Sequence, residues 1–253
     1  MFNSICTQLK RMGLGIALVA MLTSCAEMDW QRTMDSGSGL VSAAFLDEDD
    51  VKAESREAAE EMDHLNKVGS ASNKYAKRLS RLTSGLENYD GLELNFKVYL
   101  VTDINAFAMP DGTVRVFSSL MDIMEDDELM SIIGHEIGHV KFKHSYDQMR
   151  TAMVSQNTMS LLGQSGGNVG VVVNSELGQL AYRFVNARYS QSDELESDAF
   201  SVTFLRQQGI DPSASVRAIK LLQREFGDSN SFLSSHPSNP KRIEALEGII
   251  ARQ

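Results

Sequence analysis

"IIGHEIGHVKFKH", residues 132–144, puts three histidines and a glutamate into thirteen positions of a stretch that otherwise reads as an apolar helix. Ile132, Ile133, Ile137 and Val140 supply the apolar surface, and polar groups among them need a reason to be there. His135 and His139 are four apart, so on an α-helix they project from nearly the same face, one turn apart. Two neutral imidazoles at that spacing can share one zinc ion, and Glu136 beside them is placed to take a proton from an activated water. His144 falls outside the pair: five residues past His139, it is about 140° round a continuous helix and points elsewhere. Gly134 and Gly138 each cost such a helix about 1 kcal/mol against alanine, which signals a close approach by another element.

A catalytic zinc takes three protein ligands and keeps one position open. The extended motif with a third histidine six residues on does not apply, because that position is Ser145 and the glycine it needs is Phe142. "QSDELESDAF", residues 191–200, offers Glu194 and Asp198 four apart on one helical face. Glu194 can bind the metal while Asp198 accepts the free ring N–H of a ligand histidine and fixes its tautomer. Glu196 lies about 200° round that helix from Glu194 and is expected to face solvent.

HEIGH at 135–139, the ExxxD spacing of 194–198 and "HPSNPKR" at 236–242 together resemble metallopeptidase family forty-eight. This gluzincin family includes the CAAX prenyl proteases and several periplasmic lipoproteins, and the resemblance covers about residues 75 to 245. It implies a zincin-type fold, with a small sheet packed beside the HExxH helix, and zinc endopeptidase activity. One Zn(2+) per chain would be held by His135, His139 and Glu194, with Glu136 as base and Asp198 behind the ligands. His236 matches the family's late histidine near the metal and Arg242 its nearby arginine. As a lone residue in a Ser/Pro loop His236 reads as a surface histidine; the resemblance makes it either an oxyanion stabiliser or a fourth ligand covering the metal. "NAFAMPDG", 105–112, resembles the family's edge strand, so Asn105, Ala106 and Phe107 are expected to pair with extended substrate. Ser197 stands where the family usually has alanine and Ser119 where it often has glycine, departures that bear on local packing.

The remainder of the 253 residues frames this site. With 42% hydrophobic and 23% charged residues, the chain suits one globular domain plus appendages. A net charge of −10 without a basic run argues against nucleic-acid binding. Both cysteines, Cys6 and Cys25, fall in the first 25 residues, so no disulfide or CxxC site can hold the mature fold. Lys10 and Arg11 precede an apolar run of about thirteen residues, short for spanning a bilayer. That run ends in Leu22-Thr23-Ser24-Cys25 and resembles a bacterial lipobox. Residues 1–24 are therefore expected to be a lipoprotein signal peptide, 25–50 a lipidated N-terminus and tether, and 51–253 the metallopeptidase domain. Ala26 in place of aspartate suggests, by enterobacterial sorting rules, an outer-membrane lipoprotein facing the periplasm.

Periodicity predicts one or two amphipathic helices over 51–86, a strand over 92–101 and two short strands around the Pro110-Asp111-Gly112 turn. A helix capped by Asp126 or Asp127 is expected to run to about Ser145 and on towards Leu162, followed by a Gly-rich break at 163–170. Further helices are expected at about 193–208, 213–226 and 240–251, with "SSHPSNP" as a loop. The class is α+β, mainly helical. The functional expectation is an envelope endopeptidase acting on unfolded or misassembled polypeptides. Its rival is a zinc-containing lipoprotein that binds or chaperones clients without cleaving them, for which Glu136 would have no use. No motif for gripping a substrate amine, as an aminopeptidase requires, is present.

Overall fold

The computed structural model describes residues 47–161, 175–226, 231–237 and 240–252. The signal peptide, Cys25, the tether as far as residue 46 and the Gly-rich stretch at 163–170 lie outside the described residues. Helix α1 (Glu48–Leu65) begins earlier than the sequence suggests. Asp47 caps it by accepting from the Asp50 amide, and Glu48, Asp49 and Asp50 form its first turn, where carboxylates favour the helix dipole. The acidic run read as the end of the tether is therefore a helix start. Helix α2 (Lys74–Leu82) is capped by Asn73.

The expected single strand over 92–101 is divided. Residues Asn88–Tyr89 (β1) and Leu92–Glu93 (β2) form a small hairpin across Asp90 and Gly91, both at positive φ, as a tight Asp-Gly turn requires. At Leu94 the chain changes partner: its amide bonds Glu87, while the Asn95 amide bonds Gly112. Strand β3 (Asn95–Tyr99) then runs parallel to β5 (Thr113–Phe117), and β4 (Ala106–Ala108) lies antiparallel on the other side, giving the order β3-β5-β4. A Cβ on Gly112, φ +88°, would sit 1.8 Å from the Glu93 carbonyl oxygen, so the turn between β4 and β5 admits only glycine.

Helix α3 (Ser118–Ile123) follows, then α4 (Asp126–Lys141), which carries the HExxH residues. Its N-cap is Glu125, whose amide bonds the Glu128 carboxylate, one residue before the expected cap. Every residue from Leu129 to Val140 is buried. The helix does not continue through His144: Phe142 caps it, Lys143 adopts φ +64°, and a new helix α5 (His144–Leu161) starts. Helices α6 (Glu176–Asn186), α7 (Gln191–Gln207), α8 (Ser213–Phe226), α9 (Ser231–Ser235) and α10 (Pro240–Ala251) complete the described chain. Ser190 and Asp193 form a capping box at the start of α7, and Gly209 at φ +71° follows its end. Helix α9 occupies part of the segment expected to be a loop, and at five residues it is too short to declare a period.

The sheet is covered on both faces. Val98, Ala106, Ala108, Val114 and Val116 pack with Ile133 and Ile137 of α4, whereas Tyr99, Phe107, Met109 and Phe117 pack with residues of α1, α5 and α6. The mainly helical α+β architecture, with a small sheet beside the HExxH helix, is the one expected. No helix among the described residues is long and apolar enough to cross a membrane.

Candidate active site

The site depends on how closely α4 and α7 approach. A Cβ on Gly134 would lie 2.4 Å from Cδ1 of Phe204, and one on Gly138 would lie 3.1 Å from Cα of Ser197. Both glycines thus do what their presence in an apolar helix suggested: they let a second helix in. That contact sets His135 and His139 against Glu194 and Asp198. His139 Nε2 is 3.0 Å from His135 Nε2 and 3.4 Å from Glu194 Oε1. From the far side His236 brings Nδ1 to 3.0 Å from Glu194 Oε1 and 3.3 Å from His135 Nε2. One ligand atom from each of His135, His139, Glu194 and His236 lies within 4.8 Å of the other three. The surface-histidine reading of His236 fails here, because its side chain is buried under the stacked ring of Phe232.

The charges in this cluster are compensated by named partners. Arg242, itself buried, bonds both oxygens of Asp198, at 2.7 and 2.6 Å, and also contacts Glu194 Oε2. Burial pushes the Glu194 carboxyl upward, but the charges of His236 and Arg242 outweigh it and hold the group well below the usual carboxylate range. Asp198 behaves likewise: burial opposes, and Arg242 keeps it ionised. Asp198 Oδ1 lies 3.0 Å from His135 Nδ1, short of good hydrogen-bond alignment, on the side of the ring away from the cluster. Burial drives the His139 imidazole well below its ordinary pKa, so it is neutral and its lone pair is available. The Glu136 carboxyl is raised by burial, against the pull of His236 and His135. Neither of its oxygens has a hydrogen-bond partner of ordinary geometry, although His236 Nε2 approaches to 3.4 Å.

Such a set fits a metal ion. Three nitrogens and a carboxylate oxygen converge, two imidazole Nε2 atoms face each other, and the fully buried Glu136 carboxyl lies beside them; zinc is bound by donors of this kind. The geometry brings together every residue proposed for the metal, its base and its surroundings. Glu196 is exposed, as expected, but its carboxylate accepts from His144.

A model of peptidase family M48 matches residues 73–250. The chain belongs to that family. Metalloprotease LoiP of Escherichia coli (strain K12) is 36% identical over 241 residues, covering 94% of this chain and 96% of the relative. Metalloprotease YcaL of the same strain is 35% identical over 237 residues, 92% of this chain and 93% of the relative. A beta-barrel assembly-enhancing protease of Yersinia pestis is 28% identical over 172 residues, 62% of this chain and 35% of the relative. The family resemblance read from HEIGH, ExxxD and "HPSNPKR" is correct, and the chain is a metalloprotease of this family.

Three residues of the M48 site escaped sequence reasoning. Tyr189, just before α7, stacks on the His139 ring with centroids 3.7 Å apart, and its hydroxyl lies 3.3 Å from Ser145 Oγ. Ser145 in turn donates to the Ala108 carbonyl at 2.7 Å, tying α5 to the edge strand. His144, which a continuous helix would have pointed elsewhere, lies with Nδ1 3.2 Å from Nδ1 of His139. A single tyrosine before a helix cap carries no pattern, and "FKH" contains no glycine or proline to announce the break.

Asn105, Ala106 and Phe107 lie where the edge strand was expected. Asn105 and Met109 bond β5, so the backbone groups of Ala106 and Ala108 face away from the sheet. This outward edge is buried and partly occupied: Asn105 Oδ1 accepts from the Ala106 amide at 2.9 Å, and Ser145 takes the Ala108 carbonyl.

Proposed function

We propose that this chain is a zinc endopeptidase, carried by the lipid on Cys25 at the periplasmic face of the outer membrane, that cuts unfolded or misassembled envelope polypeptides. The observation that carries the proteolytic reading is Glu136: a fully buried carboxyl with an upward-shifted pKa, set beside a converging His/His/Glu/His cluster. A carboxyl whose proton affinity is raised by burial suits a group that must accept and then release a proton. His135, His139 and Glu194 would hold the ion, with Arg242 and Asp198 fixing Glu194 and His135. Zinc, when bound, supplies Lewis acidity, making water more acidic and polarising a peptide carbonyl. Glu136 then takes the proton from water and passes it to the leaving amine. The outward edge of β4 would align the substrate backbone as an added strand, once Asn105 releases the Ala106 amide.

His236 is best read as a cover over a resting site. Its ring sits between Glu136 and Glu194, and the segment that carries it is tied to Tyr189 by a 3.1 Å bond from the Tyr189 amide to the Ser235 carbonyl. With these in place His135, His139, Glu136 and Glu194 are at most 3% exposed, so substrate must move both segments. A closed set of four protein ligands is also the form of a structural zinc, which favours the binding-module alternative. Glu136 weighs against it, because a structural site uses no base.

Envelope placement rests on the apolar run ending in Leu22-Thr23-Ser24-Cys25, and the kind of client on resemblance to the family; the Yersinia relative is named for enhancing beta-barrel assembly. The test is casein digestion by the full-length protein in detergent, with and without a chelator, beside elemental analysis. Glu136→Gln should keep about one zinc per chain, as a three-ligand site requires, and cut nothing. Glu194→Ala should lose both zinc and cleavage. Chelator-resistant cleavage, or cleavage by Glu136→Gln, overturns the mechanism.

A further inference from the structure

The structure assigns His144 as a positioning residue of the metal site, an inference that rests on the zinc reading above. His139 directs Nε2 at the cluster, so when that nitrogen is a ligand its ring proton is on Nδ1. The atom facing Nδ1 at 3.2 Å is Nδ1 of His144. Two protonated nitrogens cannot make this bond, so His144 accepts on Nδ1 and carries its own proton on Nε2. That proton also has a destination: Nε2 of His144 lies 3.1 Å from Glu196 Oε2 and 3.8 Å from Asp193 Oδ1. A line of hydrogen bonds thus runs from His139 through His144 to a carboxylate at the surface; Ser197 Oγ, 3.4 Å from the same His144 Nδ1, can add a second donor to that acceptor.

The two histidine ligands are therefore held differently. His135 has a carboxylate behind it, Asp198, clamped by Arg242; His139 has a second imidazole behind it and a tyrosine ring on its face. The backbone makes this arrangement. Lys143 at φ +64° breaks the helix and brings His144 back beneath His139. A left-handed residue with a side chain costs about 1–2 kcal/mol, and the turn places His144 and Ser145 where both are buried and hydrogen-bonded. Groups that orient a metal ligand from behind typically change metal affinity 10- to 100-fold when removed.

Zinc affinity of the full-length protein in detergent, measured by competition with a chromogenic chelator, tests this without reference to activity. His144→Leu keeps bulk but removes the acceptor, and should weaken zinc binding about 10- to 100-fold. His144→Asn can put Oδ1 where Nδ1 was and should recover most of the loss. Equal affinity in wild type and His144→Leu overturns the inference, and so does an Asn variant no better than Leu, which would make the effect one of packing. Nitrogen-15 NMR of histidine-labelled, zinc-loaded wild type needs no variant to fold: it should show Nδ1–H on His139 and Nε2–H on His144. A proton on Nδ1 of His144 overturns the assignment. Failure of wild type to bind zinc at all overturns the zinc reading with it, and is distinct from wild type and His144→Leu binding equally, which overturns His144 alone.

Discussion

Gly134→Ala sets two effects of opposite sign against each other. In an isolated helix the change stabilises by about 1 kcal/mol, because alanine loses less backbone entropy. Here the new Cβ would sit 2.4 Å from Cδ1 and 3.0 Å from Cγ of Phe204. Phe204 has little room to give: it is fully buried, and its ring meets Tyr89 edge-on at 5.4 Å. Overpacking of this kind costs about 1–3 kcal/mol. The net effect is a loss of up to about 2 kcal/mol, with α4 and α7 forced apart. Separation also pulls Glu194 away from His135 and His139, so zinc affinity should fall with stability. Urea unfolding of apo and zinc-loaded protein reads both quantities. A double-mutant cycle with Phe204→Leu isolates the contact: the two changes should couple favourably by about 1–2 kcal/mol, since the smaller side chain admits the methyl. A Gly134→Ala protein about 1 kcal/mol more stable than wild type, as propensity alone would give, would refute the close approach on which the site depends.

Other outcomes follow from single features. His236→Ala should raise casein hydrolysis and lower zinc affinity, because the cover and a donor leave together; lower turnover at unchanged zinc affinity would make His236 a transition-state group instead. Asp63 meets Arg115, Lys97 and Tyr99 at 2.7 to 3.0 Å, and Asp63→Asn should cost about 3 kcal/mol or more at pH 7 by stranding the buried Arg115 charge. Burial raises the Asp63 carboxyl but those three partners lower it further, so its folded pKa is depressed. Its contribution is complete above the unfolded value near 4 and fades as pH falls through the folded one, so the gap between wild type and variant should narrow in acid melts. A gap that widens in acid contradicts this. Cys25→Ser should accumulate as precursor, with acyl label and outer-membrane fractionation both lost; unchanged labelling removes the lipoprotein reading.

The parts of the site that were legible in the sequence are those where chemistry and helical period coincide. His135 and His139 on one face, Glu194 and Asp198 on another, and two glycines between isoleucines together state that two helices meet closely around polar groups. The β4–β5 turn was equally plain, since Pro110-Asp111-Gly112 has few other uses. Features set by the junctions were not. The break at Lys143 has no glycine or proline, so nothing local opposed a continuous helix, and the true position of His144 was lost with it. The partner switch after Leu94 is decided by the Gly112 carbonyl, seventeen residues on from Asn95, to which the Asn95 amide bonds. Tyr189 owes its role to tertiary stacking, which leaves no trace in spacing. His236 and Arg242 were reached only through family resemblance, because a short Ser/Pro segment shows no period.

Arg242 also has a consequence for timing. The cluster draws on residues from 135 to 242, and a chain delivered to its compartment N-terminus first presents His135, Glu136 and His139 long before the guanidinium that neutralises Asp198 and Glu194. Until α10 docks, Asp198 lacks the guanidinium that bonds both its oxygens, and Glu194 has only the late-arriving His236 beside it. Assembly of the cluster is therefore tied to the docking of α10, and a chain that has not yet placed this helix carries the HExxH motif without the charge balance behind it.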